Sequence, residues 1–243
     1  MTGLLEVDGL TKRFGGVTAV AGCSFGVGAG SITALIGPNG SGKTTAFNMI
    51  TGYLRPDAGR IVFAGRRVGR PDPGGLYRRG LSRTFQQARV FGELTVEENL
   101  VVARGYSWPA LFARRRTADD RGRAAALLAE FRLSHVAGLR AAELSYGQRK
   151  LLEFAAVLMS EPRLVLLDEP TAGVNPVMVE TMERHIRERN AAGTTFLVVE
   201  HDMGFVMRLC DPVIVLDRGA PIAAGPPAEI QNDPRVLDAY LGD

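Results

Sequence analysis

The stretch best suited to chemistry is the glycine-rich sequence GPNGSGKTT, which begins at position 37. It fits the pattern G-x-x-x-x-G-K-[ST], follows an apolar run typical of a buried strand, and precedes a segment typical of a helix. Glycines let successive backbone N–H groups turn toward phosphate oxygens, and a helix N-terminus adds partial positive charge. The loop therefore predicts a phosphate site, although a flexible glycine turn could match the pattern by chance. The predicted phosphate-binding residues are Gly37, Pro38, Asn39, Gly40, Ser41, Gly42, Lys43, Thr44 and Thr45.

Two acidic residues complete a second candidate element. The apolar run LVLLD ends in Asp168, and Glu169 follows directly. Beside a phosphate loop, Asp168 is placed to hold Mg²⁺ together with the Thr44 hydroxyl, while Lys43 reaches the β- and γ-phosphates. Glu169 is then the natural base for an attacking water. Taken alone, the pair could equally be two solvated acids in a turn.

Three further side chains are candidates on position alone. Gln86, in the stretch RTFQQ, can contact Mg²⁺ or the attacking water, with Gln87 as the competing position. Phe14 precedes two glycines in a predicted loop, where an exposed ring could stack on adenine, or it could be a core residue. His201 follows the apolar run TFLVVE and could meet a γ-phosphate, or it could be a satisfied core histidine. The two other histidines, His135 and His185, are interpreted as ordinary surface or core groups.

The elements that would position these residues alternate between strands and helices. Short apolar runs predict strands, and longer periodic segments predict helices with recognisable starts, such as the threonine before two glutamates at Thr95. The predicted strands cover 4–10, 23–28, 31–37, 59–65, 164–168 and 195–200, followed by a hairpin that turns at DRG, residues 217–219. The predicted helices cover 43–53, 176–190, two segments beginning near Thr95 and Thr117, and a segment with an apolar stripe of Leu151, Leu152, Ala155, Ala156 and Met159.

This order predicts one α/β domain over residues 1–243. We expect an α/β core with a β subdomain from 1–87 and 163–243, a helical subdomain over 88–162, and a helical tail over 226–243 that breaks at Asp233–Pro234. The chain is long enough for a substantial core, and its 46% hydrophobic content argues against disorder.

Composition and charge limit the classes of partner that we expect for this chain. The net charge of +3 is too small to indicate nucleic acid, and no run approaches 18 apolar residues. The start of the chain shows no signal-peptide pattern, and two cysteines without metal-like spacing favour a reduced compartment. Arginines cluster at two places, which predicts a solvated face or contact with anionic headgroups or an acidic partner. These clusters are Arg66, Arg67, Arg70, Arg78 and Arg79, and Arg114, Arg115 and Arg116.

With these parts in order, the chain resembles the ATP-binding subunits of ABC transporters along nearly its whole length. The Walker A motif is GPNGSGKT, the Q-loop surrounds Gln86, the signature is LSYGQ, Walker B is LVLLDE, and the switch histidine lies in VVEHDM. The stretches ELSYGQRKLLEFA, LLDEPTAGVNP and NDPRVLDAYLG look like the branched-chain amino acid importer ATPases of bacteria. The resemblance favours functional roles for Gln86, Glu169, His201 and Phe14. The sequence departs from the commonest pattern at Tyr146, usually glycine, and at Asn175, usually aspartate.

The resemblance implies a P-loop ABC-ATPase fold with a RecA-like core, an antiparallel β subdomain and a helical subdomain. It implies ATP and Mg²⁺ as cofactors, with Thr44, Gln86 and Asp168 around the metal, and Glu169, His201 and Gln86 as catalytic residues. In the family, Ser145, Gly147 and Gln148 face the γ-phosphate held by a second ATPase subunit, so two subunits pack head to tail around two ATPs.

The implied partners are transmembrane permease subunits, contacted through the 88–162 insert, and a second ATPase subunit that is a paralogue or a second copy. A solute-binding protein would take part indirectly, and no nucleic acid is expected. The implied location is cytoplasmic, on the inner face of the plasma membrane. Related ATPases serve urea or amide import, lipopolysaccharide export or non-transport functions, and a nucleotide kinase is a further alternative that the signature disfavours.

Overall fold

The computed structural model describes residues 3–70, 72–84, 90–105 and 118–241. Its strands form two sheets. The first sheet is antiparallel and has the order β2-β1-β4-β5. Its strands are β1 (Leu5–Phe14), β2 (Val17–Val27), β4 (Ala58–Phe63) and β5 (Arg66–Arg67).

The first hairpin corrects one prediction. Sequence reasoning ended the first strand at residue 10 and placed Phe14 in a loop, whereas β1 runs to Phe14 and pairs with β2. Gly9 and Gly22 lie where the register of the β1–β2 ladder shifts. A β-bulge absorbs a glycine and bends a strand without ending it, so the hairpin is longer than the sequence predicted.

The second sheet has six strands in the order β10-β9-β3-β8-β7-β6. All its pairs are parallel except β9–β10, the hairpin predicted at residues 217–219. Every residue of β3, β7 and β8 is buried, as expected for parallel strands covered on both faces. The strands are β3 (Ile32–Ile36), β6 (Leu81–Arg83), β7 (Leu164–Asp168), β8 (Thr195–Val199), β9 (Val213–Asp217) and β10 (Ala220–Gly225).

Some helices connect strands of the two sheets, and others lie in the 88–162 segment. In the described parts of that segment, Thr95 caps its helix with a reciprocal capping box, which confirms the predicted start. The predicted apolar stripe on the helix Tyr146–Leu158 is buried, with Ala156 partly so. The helices are α1 (Lys43–Ile50), α2 (Pro73–Arg78), α3 (Val96–Ala103), α4 (Ala118–Glu130), α5 (Tyr146–Leu158), α6 (Pro176–Ala191), α7 (Met203–Leu209), α8 (Pro227–Gln231) and α9 (Pro234–Leu241). Short 3₁₀ turns cover Ser134–Val136 and Ala141–Glu143.

Two hydrophobic cores hold these elements together. Alternate residues of β7 enter different cores, because successive side chains of a strand point to opposite faces. Leu164 and Leu166 join the core that contains α1 and the first sheet, whereas Val165 and Leu167 join the core shared with α3, α4 and α5. The first helix therefore lies between the two sheets, which fixes the phosphate loop at its N-terminus. The proposed subdomain boundaries remain a prediction.

No helix within the described ranges is both long enough and apolar enough to cross a bilayer. Of the first arginine cluster, four side chains are exposed on the surface, and Arg79 donates to the carbonyls of Phe63 and Arg66. The second cluster, residues 114–116, lies outside the described residues.

Candidate nucleotide site

The phosphate loop lies between the end of β3 and the start of α1, as predicted. Gly37 and Gly42 both have positive φ, at 149° and 97°. A Cβ at Gly37 would lie 2.1 Å from the Leu216 carbonyl oxygen, and one at Gly42 would lie 2.4 Å from the Ala19 carbonyl oxygen. Only glycine fits such close approaches, so the loop is held tightly against two strands of different sheets.

The N-terminus of α1 suits an anion. Gly42 caps it without a side-chain acceptor, and the first turn, all of it described, carries no acidic side chain. Unpaired N–H groups and the helix dipole favour a negatively charged ligand at such an end. Thr44 is exposed in this turn and Thr45 is partly buried. The backbone therefore fits phosphate oxygens at the position the sequence predicted.

Lys43 projects back over the loop. Its Nζ donates to the carbonyl oxygens of Gly37 at 2.7 Å and Pro38 at 2.8 Å, and lies 3.3 Å from Ser41 Oγ. Burial lowers the pKa of Lys43, and the negative charge of Glu169 partly opposes this. The charge of Glu169, next to the end of β7, therefore acts on Lys43 in the phosphate loop.

Asp168 is the last residue of β7 and is buried. Its Oδ2 accepts a hydrogen bond from Arg83 Nη2 at 2.8 Å, and its backbone N–H donates to Thr84 Oγ1 at 3.2 Å. Burial raises the pKa of Asp168, while the charge and hydrogen bond of Arg83 lower it. The Asp168 carboxylate and the hydroxyl of Thr44, in the first turn of α1, are hard oxygen donors of the kind that Mg²⁺ prefers. These residues therefore fit the predicted metal.

Glu169 is turned sharply away from the strand. Its φ is 47°, in the left-handed region that residues other than glycine rarely occupy, and its N–H donates to the Val199 carbonyl at 2.9 Å. Such strain persists only where the surroundings impose it, and it clusters at functional sites. His201 Nδ1 lies 4.0 Å from Glu169 Oε1. The His201 side chain is 67% exposed, which rules out the core-histidine alternative.

Sequence reasoning missed one residue of this edge. Glu200 is buried and accepts bonds from the Thr171 N–H at 2.8 Å and the Thr171 hydroxyl at 2.6 Å. It also accepts from the His201 N–H at 3.0 Å. Glu200 thereby ties the end of β8 to the segment that follows Glu169. A charged residue directly after a buried strand was the available signal.

The signature region begins α5. Ser145 is its N-cap, with Ser145 Oγ accepting from the Gln148 N–H at 3.3 Å and Gln148 Oε1 accepting from the Ser145 N–H at 2.9 Å. The Gln148 amide thus has a structural role in the capping box, and its predicted contact with nucleotide stays a prediction. Gly147 faces Met178, whose Cε would lie 3.0 Å from a Cβ at that position. At the start of the helix Ser145 and Tyr146 are therefore exposed, whereas Gly147 is half-buried against Met178.

The two departures from the commonest pattern, Tyr146 and Asn175, both involve the segment between β7 and α6. Tyr146 contacts this segment, and Asn175 belongs to it. The Tyr146 hydroxyl donates to the Ala172 carbonyl at 3.2 Å, and its ring lies against Gly173. Asn175 caps α6 by accepting from the Met178 N–H at 2.9 Å. In this chain the tyrosine therefore joins the signature helix to the segment after Walker B, within one subunit.

Phe14 lies at the end of β1, 51% exposed, so it is not a core residue. Lys12 Nζ lies 5.7 Å from the centroid of its ring. The β1–β2 hairpin passes the phosphate loop, since the Ala19 carbonyl meets Gly42. An exposed ring beside that loop suits stacking on a flat base. Gln86 and its competitor Gln87 lie outside the described residues.

A second group of potential metal ligands consists of Glu130, His185 and Glu188. The contacts of this group are those of a structural cluster. The Arg189 guanidinium binds both oxygens of Glu130, and His185 is buried and stacked 4.1 Å from Phe131. Burial lowers the pKa of His185. His185 is thus a core group and His135 is an exposed one, as predicted.

The phosphate loop, Asp168, Glu169 and His201 together lie at the carboxyl ends of β3, β7 and β8, which are neighbours in one parallel sheet. This fold and this site define a P-loop nucleotide triphosphatase. A family profile described as "ABC transporter" matches residues 20–172, and another, described as "Branched-chain amino acid ATP-binding cassette transporter", matches residues 220–243.

The chain is similar to characterised proteins along its full length. It is 40% identical to the high-affinity branched-chain amino acid transport ATP-binding protein BraF of Pseudomonas aeruginosa, over 99% of this chain and 98% of the relative. It is 41% identical to LivG of Salmonella typhimurium, a protein of the same description, with the same coverage. A crystal structure of a nucleotide-free ATP-binding cassette from an ABC transporter superposes with a TM-score of 0.89 at 36% identity, covering both chains completely. The ADP conformation of such a cassette gives the same values.

The chain belongs to the ABC transporter family of ATP-binding proteins. It is an ATPase of that family, and the predicted ABC-ATPase fold is confirmed.

Proposed function

We propose that this chain hydrolyses ATP to power the import of branched-chain amino acids through a membrane permease. The observation that carries the proposal is its full-length similarity to branched-chain amino acid transport ATP-binding proteins. The match of residues 220–243 to the branched-chain profile supports the same substrate class from a part of the chain remote from the phosphate loop.

Within the site we assign roles by geometry and chemistry. The phosphate loop and Lys43 hold the β- and γ-phosphates, and Phe14 stacks on the adenine. Thr44 and Asp168 would hold Mg²⁺, which supplies charge neutralisation at the phosphates when bound. For Gln86 we keep the predicted role, which is to contact Mg²⁺ or the attacking water.

For the hydrolysis step we assign Glu169 and His201. The strained backbone of Glu169 aims its carboxylate away from β7, where it accepts a proton from, or orients, the attacking water. His201, 4.0 Å away and exposed, donates to the γ-phosphate. The water oxygen forms a bond to the γ-phosphorus while the bond to the departing ADP oxygen breaks, and the proton lost by the water passes to Glu169. The Val199 carbonyl holds the backbone of Glu169, and Glu200 holds that of His201.

The signature completes a site on another subunit. The N-terminus of α5, with Ser145 and Gly147, is an anion-favouring helix end that lies apart from this chain's own phosphate loop in the sequence and on a different element. We propose that it contacts the γ-phosphate bound by a second ATPase subunit, either a paralogue or a second copy. ATP then forms part of the interface, so binding favours closure and hydrolysis releases it.

The permease contact is proposed for a groove between the α/β core and the helical segment. The groove is bordered on the core side by α2 and β6 and on the helical side by α3 and α5. It consists of two adjoining pockets that share Tyr77, Ser82 and Arg83. One is also lined by Ala103 and Ala156, and the other by Tyr53. Such a groove at the inner face of the membrane would receive a helix from the permease, and closure at the nucleotide would move its walls.

Reconstitution tests the substrate. Proteoliposomes that contain the permease pair, this chain and its partner ATPase, with a solute-binding protein outside, are expected to accumulate labelled leucine when ATP is inside. The variant Lys43→Ala should abolish uptake, because it removes the ammonium from the phosphate loop. Uptake of labelled urea in place of leucine would overturn the substrate assignment. No ATP-dependent uptake of any solute, with the complex intact, would overturn the transport role.

A further inference from the structure

Arg83 lines the proposed permease groove, but its side chain also makes a set of buried bonds beside the nucleotide site to which no role has been assigned. It is the last residue of the three-residue strand β6, next to β7, and its side chain is only 7% exposed. The guanidinium donates from Nη2 to Asp168 Oδ2 at 2.8 Å. From Nη1 it donates to Asn48 Oδ1 at 2.7 Å and Thr51 Oγ1 at 3.0 Å, both on or next to α1.

These bonds fix two parts of the site relative to each other. One end of the guanidinium holds the carboxylate that ends β7, and the other holds the helix that begins at Lys43. The rings of Phe47 and Tyr53 lie about as close as a cation–π contact requires, each with its centroid 5.5 Å from Arg83 Cζ. A planar, rigid fork restrained in this way leaves the Asp168 carboxylate little freedom to rotate.

Burial makes the pair more than a surface contact. The side chains of Arg83 and Asp168 are 7% and 8% exposed, so each charge has lost most of its water. Removing one partner of a buried pair leaves the other charge uncompensated, whereas exposed pairs contribute little. Arg83 therefore compensates the buried charge of Asp168 and orients its carboxylate in the folded chain.

Arg83 also contacts two regions that the proposed mechanism uses, which are the residue that precedes the Gln86 stretch and the permease groove. Its Nε donates to the Thr84 carbonyl at 3.2 Å, directly before the stretch that contains Gln86. Its side chain lines the groove proposed for the permease. A conformational change in this groove would therefore be transmitted to the Asp168 carboxylate through the Arg83 side chain.

We propose that Arg83 is a positioning residue that orients Asp168 against α1, so that the divalent cation binds together with the nucleotide. The inference rests on the metal-binding role proposed for Asp168. Arg83 touches neither the metal nor the nucleotide. Its contribution is confined to the metal-dependent part of nucleotide affinity.

The test compares the affinity for a fluorescent N-methylanthraniloyl ATP in Mg²⁺ with that in EDTA. The ratio of the two is the metal gain. In the full-length chain, Arg83→Met is expected to leave affinity in EDTA nearly unchanged and to lower the metal gain by about tenfold or more, as for outer-shell partners of metal ligands. Arg83→Lys should recover only part of it, because one ammonium cannot bridge Asp168 and Asn48. Mn²⁺ in place of Mg²⁺ gives a second readout, since a loosened site changes the paramagnetic resonance spectrum of the bound ion.

Two variants protect the test against misfolding. Asn48→Ala keeps the ion pair but removes one anchor on α1, and it should lower the metal gain in the same direction by a smaller factor. Arg79→Met is the matched control, because Arg79 also lies over a phenylalanine ring and donates to carbonyls but does not contact Asp168. Its metal gain should equal that of the wild type.

The possible outcomes distinguish the positioning role of Arg83 from the metal-binding role of Asp168. An equal loss of affinity in Mg²⁺ and EDTA for Arg83→Met would make Arg83 a purely structural residue and overturn the inference. An unchanged metal gain in Arg83→Met and Asn48→Ala would overturn it as well. If Asp168→Asn retains the full metal gain, the proposed role of Asp168 is wrong, and the inference falls with it for that distinguishable reason.

Discussion

Replacing Glu169 by glutamine is expected to lower ATP turnover by about 100-fold or more while ATP binding is preserved. Glutamine keeps the shape of the side chain and the strained turn at φ 47° but cannot accept a proton. The phosphate loop and Lys43 are unchanged, so the nucleotide still binds. Because hydrolysis releases the closed state, the variant should accumulate ATP-bound dimers.

Steady-state phosphate release and light scattering with Mg²⁺ and ATP measure these two effects. Glu180→Gln, the same change at an exposed glutamate on α6, is the control and should behave as wild type in both assays. Turnover of Glu169→Gln near the wild-type rate would remove Glu169 from the chemistry. Slow turnover without larger particles would show that closure does not depend on retained ATP.

Replacing Ser145 by arginine is expected to spare nucleotide binding by the single subunit and to abolish closure. The serine caps α5, and losing this cap costs about 1 kcal/mol of local helix stability. The larger effect is steric, since a long side chain at the start of α5 occupies the space that the partner's γ-phosphate would enter. Loss of the donors there should lower turnover by about 100-fold or more, as when a preorganised anion site is removed.

The same substitution at Ser134, exposed on a 3₁₀ turn, is the matched control. Dimer formation is best measured in the Glu169→Gln background, where closed dimers persist. Fluorescent ATP titration checks that the single subunit binds normally. An intact ATP-induced dimer in the Ser145→Arg, Glu169→Gln variant would refute a phosphate contact across the interface.

The sequence predicted the parts of the site whose signal is local. The phosphate loop, the buried strand that ends in Asp168, and the Thr95 cap each depend on residues within a few positions of one another, and the structure confirms their placement. The hairpin at residues 217–219 was predictable for the same reason.

What the sequence did not reveal depends on contacts between distant residues. Arg83 lies on a strand of three residues, too short for periodicity, and its partner is 85 positions away. Tyr146 marked a departure from the family pattern, but its contact with Ala172 follows only from the packing of α5 beside the segment after β7. The full length of β1 was also not predicted, because a glycine such as Gly9 is as typical of a bulge inside a strand as of a strand end.

We propose above that the signature of another subunit completes the ATP site of this chain. Site-directed cross-linking tests it directly, because Cys23 and Cys210 are both buried and burial raises the pKa of each thiol to about 12, which leaves them unreactive. One preparation carries Asn39→Cys in the exposed part of the phosphate loop. A second, of different size, carries Ser145→Cys, or the matching cysteine in a paralogous ATPase.

Both preparations also carry Glu169→Gln and are mixed with a short bismaleimide, with or without Mg²⁺ and ATP. We expect an ATP-dependent product that joins position 39 of one chain to position 145 of the other. A third preparation carries both cysteines in one chain. Cross-linking within that chain, with no ATP-dependent product between the first two preparations, would overturn the proposal.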